Sequence, residues 1–144
     1  PNVAVLHTFS KAYGLAGLRL GYAIAREDVQ DGLRKVAMPF AVTDIAQAAG
    51  VASLTAEDEL RERIDVLILE RARVTAELQR MGWPVTPSQA NFVWLQLGER
   101  TDEVQAHLTS RGIIARPFSG DGIRITVGDP VANDAFLAAL SLIS

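Results

Sequence analysis

The chain has 144 residues, 49% apolar and 22% charged, which suits one folded unit with a sizeable core and excludes a disordered segment. Fourteen basic against seventeen acidic residues give a net charge of −3, with neither sign gathered into a block, so no nucleic-acid partner and no membrane-surface helix are expected. The lack of cysteine excludes disulfides and thiolate chemistry, and with only two histidines, His7 and His107, far apart in the chain, no zinc site or other metal is expected.

Residues 3–9 form an apolar run, rich in β-branched and aromatic side chains, that predicts a strand buried on both faces. A second such run, 18–25, is entered through Gly17 and relieved by Gly21, and the pair reads as the edge of a larger parallel or mixed sheet. The first residues lack a basic region ahead of an apolar stretch, and no run approaches the ~20 residues of a membrane span. A cytoplasmic location without a membrane partner is expected.

Between the two strands lies T-F-S-K-A-Y-G-L-A-G-L-R-L-G-Y, residues 8–22. A lysine such as Lys11 forms a Schiff base with an aldehyde when its surroundings keep the amine partly deprotonated. The hydroxyls of Thr8 and Ser10 and the guanidinium of Arg19 are groups that bind a phosphate. Glycines 14, 17 and 21 permit the tight turn that would present them.

A helix is predicted over 26–36, with Glu27 and Asp28 in its first turn and Arg34 and Lys35 in its last, the polarity that suits the helix dipole. Pro39 interrupts the pattern, leaving Phe40 in a connection that reads equally as a pocket wall or as a hinge with a buried aromatic. Thr43 or Asp44 caps a second helix to about Leu54, and Thr55, with Asp58 three residues later, caps a long third one that Gly82 and Pro84 close. Leu60, Ile64, Leu67, Ile68, Thr75 and Leu78 recur there at helical spacing, while Arg71, Arg73 and Arg80 read as a solvated face.

From Pro84 strands alternate with helices. Residues 91–97 alternate Val93, Leu95 and Leu97 against Phe92, Trp94 and Gln96, and 101–110 form a helix that ends at Gly112, with His107 on its surface. Residues 113–118 and 123–127 flank S-G-D-G and read as a hairpin, and Asp129-Pro130 opens a terminal helix whose Phe136, Leu137, Leu140 and Ile143 face inward. Arg124 takes the parity opposite to Ile123, Ile125 and Val127, where its guanidinium fork suits a carboxylate. Arg116 faces Ile125 in one hairpin register and Arg124 in the other, and both stay open. Asn91 reads as a pin for the neighbouring loop or as a turn cap.

The motif S-K-x-x-G-L-x-G-L-R-x-G-Y, with A-N-F-V-W at 90–94, R-G-I-I-A-R-P-F at 111–118 and G-I-R-I-T-V-G at 122–128, resembles the C-terminal part of fold-type I pyridoxal-phosphate aminotransferases. The likeness is to their histidinol-phosphate and aromatic, phenylalanine-type members, and the short connection between Arg116 and Arg124 tilts it to the aromatic ones. The resemblance implies an α/β fold: the family's small C-terminal domain over 26–144, an α/β sandwich with a mostly antiparallel sheet, plus a two-strand remnant of the large cofactor-binding domain over 1–25. It implies Lys11 as the catalytic lysine carrying pyridoxal 5'-phosphate, Thr8, Ser10 and Arg19 on the cofactor's phosphate, and Arg124 on the substrate, with Arg116 a second substrate-binding candidate in the register that sets it beside Arg124. Amino acid and 2-oxo acid substrates and a homodimer follow for the intact enzyme. The family's N-terminal portion supplies the ring-binding groups, so this stretch alone is expected to be inactive. A pyridoxal-phosphate decarboxylase sharing the lysine motif, and an interaction or regulatory module with an idle lysine loop, are the alternatives.

Overall fold

A computed structural model describes residues 2–143, which divide into two units, Pro1–Ile64 and Asp65–Ser144. In the first unit β1 (Ala4–Thr8) pairs with β2 (Gly21–Ala25) in register Ala4 to Ala25 through Thr8 to Gly21. The pairing is antiparallel, as a mixed sheet allows, and every residue of β1 is exposed, against the expectation of a strand buried on both faces. An apolar run records what a strand favours burying; burial itself needs a covering layer, which a two-stranded ribbon does not provide. Gly21 lets the strands meet, since a Cβ there would lie 2.7 Å from the His7 carbonyl oxygen.

Helix α1 (Glu27–Val36) keeps the charge polarity expected for it. Thr43 caps α2 (Asp44–Thr55), its hydroxyl accepting from Ala46 N at 3.2 Å. Phe40 precedes it at φ +58°, 99% exposed, which overturns the buried-hinge option. Thr55 does not cap α3 (Glu57–Arg80): it ends α2, and its hydroxyl donates back to the Ala52 carbonyl at 2.7 Å. In α3 the fully buried residues are Val74 and Leu78, whereas Leu60, Ile64 and Leu67 are only half-buried and Ile68 is exposed.

The second unit is built on a four-stranded antiparallel sheet of order β3-β4-β6-β5, from Val85–Thr86, Phe92–Gln96, Gly122–Thr126 and Arg116–Phe118. The two-residue β3 had no signal in the sequence. Val93, Leu95, Ile123 and Ile125 turn one sheet face to Val74 and Leu78 of α3, Val104 and Leu108 of α4 (Thr101–Thr109), and Phe136, Leu137 and Leu140 of α5 (Pro130–Leu140). Each large side chain buried this way stabilises the fold by roughly 1.5–3 kcal/mol. Asp129 caps α5 as its sequence indicates, accepting from Ala132 N at 2.8 Å, with Pro130 in the first turn. His107 is not on the surface of α4: its Nε2 lies 2.9 Å from the Ala139 carbonyl and its Nδ1 3.1 Å from an Arg111 guanidinium nitrogen.

Candidate functional site

Two groups of side chains carry the candidate chemistry, one in each unit. In the first, β1 ends at Thr8 and the chain enters a loop whose neck is closed by the backbone of Phe9, which donates to Leu20 O at 3.0 Å and accepts from Leu15 N at 2.9 Å. The Phe9 ring is buried against Tyr13 at 4.5 Å and Tyr22 at 6.1 Å, so the loop hangs on a packed aromatic rather than on its glycines alone. Thr8 Oγ1 accepts from Ser10 N at 3.1 Å, which leaves the Thr8 hydroxyl proton free to donate. Lys11 follows at once, exposed, in a turn closed by Gly14 N donating to Lys11 O at 2.9 Å, with Gly14 at φ +71°.

Arg19 sits at φ +55°, a left-handed conformation that costs a residue with a Cβ about 1–2 kcal/mol. Part of its guanidinium donates to Ala16 O at 2.7 Å, and no carboxylate pairs with Arg19 or Lys11 among the described residues. An exposed amine, two hydroxyls and an unneutralised guanidinium on one short loop fit a small molecule that carries an aldehyde and a phosphate.

In the second unit the register resolves the hairpin: Arg116 pairs with Arg124, and Phe118 with Gly122. Trp94 pairs with Arg124 on the other side, and Phe92 with Thr126. By strand alternation the sheet face turned away from the core therefore carries Arg116, Arg124, Phe92, Trp94 and Phe118 together. The rings are organised around the cations: the Arg124 guanidinium lies 5.4 Å from the Phe92 centroid, that of Arg116 5.4 Å from Phe118, and Trp94 meets Phe118 edge to face at 5.5 Å. Arg124 Nε is buried without a hydrogen-bond partner, and neither arginine has an acidic partner among the described residues.

The sequence names both arginines but does not single out Phe92 and Trp94 as walls beside them. Phe92 and Trp94 were already on the polar parity of their strand; the missing step was the pairing of β4 with β6, which puts that parity beside Arg124. The Asn91 carbonyl accepts from Val127 N at 2.9 Å, so its backbone pins the strand end. Among the described residues no cluster of three or more His, Asp or Glu side chains could hold a metal ion, and no helix is long and apolar enough to cross a membrane.

The aminotransferase class I and II family model matches residues 1–140; the chain belongs to that family, whose members depend on pyridoxal phosphate. Among its relatives, the chain is 59% identical over 137 residues to the aromatic amino acid aminotransferase of Streptomyces avermitilis, covering 95% of this chain and 38% of that protein. Its fold is similar to histidinol-phosphate aminotransferase from Sinorhizobium meliloti in complex with pyridoxal-5'-phosphate, at a TM-score of 0.83 and 31% identity over 99% of this chain and 41% of that one. It is similar also to L-threonine-O-3-phosphate decarboxylase from Porphyromonas gingivalis, at 0.77 and 26%, over 96% of this chain and 46% of that one. The chain thus spans about two fifths of the length of these relatives.

Proposed function

We propose that this chain is the C-terminal part of a pyridoxal-phosphate aminotransferase that acts on aromatic amino acids, with 1–25 belonging to the large cofactor-binding domain and 26–144 forming the small one. The observation that carries this reading is the cross-strand pair of unneutralised arginines walled by Phe92, Trp94 and Phe118. Like charges placed opposite each other weaken a sheet, and an anion between them removes the penalty. A carboxylate held by Arg124, with Arg116 beside it, and an apolar side chain among the rings describe an aromatic amino acid or its 2-oxo acid. The identity to aromatic amino acid aminotransferases supports the same substrate class.

Thr8, Ser10 and Arg19 would hold the cofactor's phosphate and Lys11 its aldehyde carbon. When bound, the cofactor supplies the electron sink for negative charge developing at the substrate Cα. Lys11 Nζ, once freed by the incoming amine, would take the substrate Cα proton as base and then return a proton as acid. Arg124 fixes the carboxylate, so that the bond to the departing proton keeps one orientation. A second 2-oxo acid takes the amino group by the reverse steps. The homodimer implied by the resemblance and the cytoplasmic location expected from the sequence belong to this reading of the whole enzyme.

Two experiments test it. The whole enzyme is expected to convert phenylalanine to its 2-oxo acid with an added 2-oxo acid as acceptor; release of carbon dioxide and the amine instead would favour the decarboxylase, the reading supported by the likeness to a decarboxylase fold. Borohydride reduction with pyridoxal phosphate is expected to label Lys11 by peptide mapping. Labelling spread over other lysines would overturn its role.

A further inference from the structure

The second residue beyond β6, Gly128, is held by a side chain that no catalytic role accounts for. Asn133, 3% exposed in α5, accepts from Gly128 N through Oδ1 and donates to Gly128 O through Nδ2, both at 3.0 Å. It thereby takes up both backbone groups of Gly128, as a neighbouring strand would. The same Nδ2 donates to Glu70 Oε1 of α3 at 2.9 Å, and Arg73 donates to both Glu70 oxygens at 2.6 and 3.0 Å. One residue on, Arg71 donates to Ala90 O at 2.8 Å, next to Asn91, whose carbonyl accepts from Val127 N.

Asn133 is not needed as a helix cap, because Asp129 already caps α5. Its hydrogen-bonding capacity is directed instead at Gly128 and at α3, four residues beyond Arg124. We propose that Asn133 and Glu70 are positioning residues for Arg124: through Gly128 they fix where β6 lies along β4 and β5, and so where the guanidinium meets the substrate carboxylate. This rests on the reading of Arg124 as the carboxylate group's partner.

The test measures binding of 3-phenylpropanoate and of 3-phenylpropan-1-ol, which lacks the carboxylate, to the whole cofactor-loaded enzyme. Asn133→Asp keeps the acceptor for Gly128 N but sets a carboxylate against Glu70; Glu70→Ala removes the anchor and leaves the Asn133 to Gly128 pair intact, so that one of the two variants stays folded. Each is expected to weaken the acid by about tenfold, as for a displaced charge-assisted hydrogen bond, and to leave the alcohol unchanged. Equal loss for acid and alcohol, or no loss for either, overturns the positioning role. Arg124→Gln separates the two claims. If it spares the preference for the acid, the carboxylate reading itself fails; if it removes that preference while the other two variants keep it, only the positioning inference fails.

Discussion

Arg116 and Arg124 stand directly opposite each other across the β5–β6 ladder, each with its guanidinium against a phenylalanine ring and neither with a carboxylate partner among the described residues. Such a pair destabilises the sheet by on the order of 0.2–1 kcal/mol. Arg116→Gln is therefore expected to raise the urea midpoint of this chain slightly. Succinate, a dicarboxylate, is expected to raise the melting temperature of the parent and not that of an Arg116→Gln, Arg124→Gln double variant, by the linkage of ligand binding to folding. Equal stabilisation of both proteins would place the anion elsewhere.

Lys11 presents the opposite case, a residue whose removal costs the fold nothing. Its side chain is exposed and makes no hydrogen bond or ion pair among the described residues. Lys11→Ala is expected to leave unfolding within about 0.5 kcal/mol of the parent, as surface substitutions do. In the whole enzyme the same change is expected to abolish turnover, and appreciable retained activity would exclude the lysine from catalysis.

Arg19 is held at φ +55° with only part of its guanidinium engaged, by Ala16 O. Glycine adopts that conformation without a Cβ penalty, so Arg19→Gly is expected to stabilise this chain by up to roughly 1 kcal/mol. The phosphate contact goes with the side chain: affinity of the whole enzyme for pyridoxal phosphate should drop, while pyridoxal, which has no phosphate, should bind as before. A variant that loses both ligands alike would show that Arg19 shapes the loop and touches no phosphate.

Glu70 gives the acid limb of stability. Hydrogen bonds from Arg73 and then Asn133 hold its carboxyl below the ordinary value of 4.5, against a smaller opposing effect of burial. A carboxylate depressed in the folded state contributes stability that is fully present above its unfolded value and is lost as pH falls through the folded one. Stability measured by urea titration should thus fall below pH 4.5 in the parent, and Glu70→Gln should flatten that limb while costing stability at neutral pH. An unchanged slope would mean that the bonds from Arg73 and Asn133 are not formed in solution.

What was legible in the sequence was local. The lysine turn, the Thr43 and Asp129 caps and the inward parity of Ile123 and Ile125 each depend on a few neighbouring residues, and each is found where it was read. Thr55 failed as a cap because its hydroxyl had two local choices and took the carbonyl behind it. The hairpin register needed the closure of the turn, which places Arg116 opposite Arg124, and no spacing rule chose between the two options. Glu70 and Asn133 lie 63 residues apart, so their bond leaves no trace in periodicity. The exposure of β1 was misread because apolar content states a preference, and satisfying it takes surface that the described residues do not present to that strand.

Gly122 shows how the arginine face constrains the strand beneath it. A Cβ on this residue would overlap the Leu95 carbonyl oxygen and lie 2.8 Å from Trp94 Cζ2, so neither backbone nor ring can yield without disturbing the β4–β6 pairing. Gly122→Ala is expected to destabilise this chain by roughly 1–3 kcal/mol or more, the usual cost of overpacking. Because the displaced ring is Trp94, which meets Phe118, the variant should also shift tryptophan fluorescence in the folded state. Gly32 is the control: it lies inside α1 with nothing within 4 Å of an added Cβ, and Gly32→Ala should stabilise by about 0.5–1 kcal/mol through helix propensity alone. If chemical denaturation found the two substitutions equivalent, Gly122 would be an ordinary turn residue and the close approach of Trp94 to the strand would have to be abandoned.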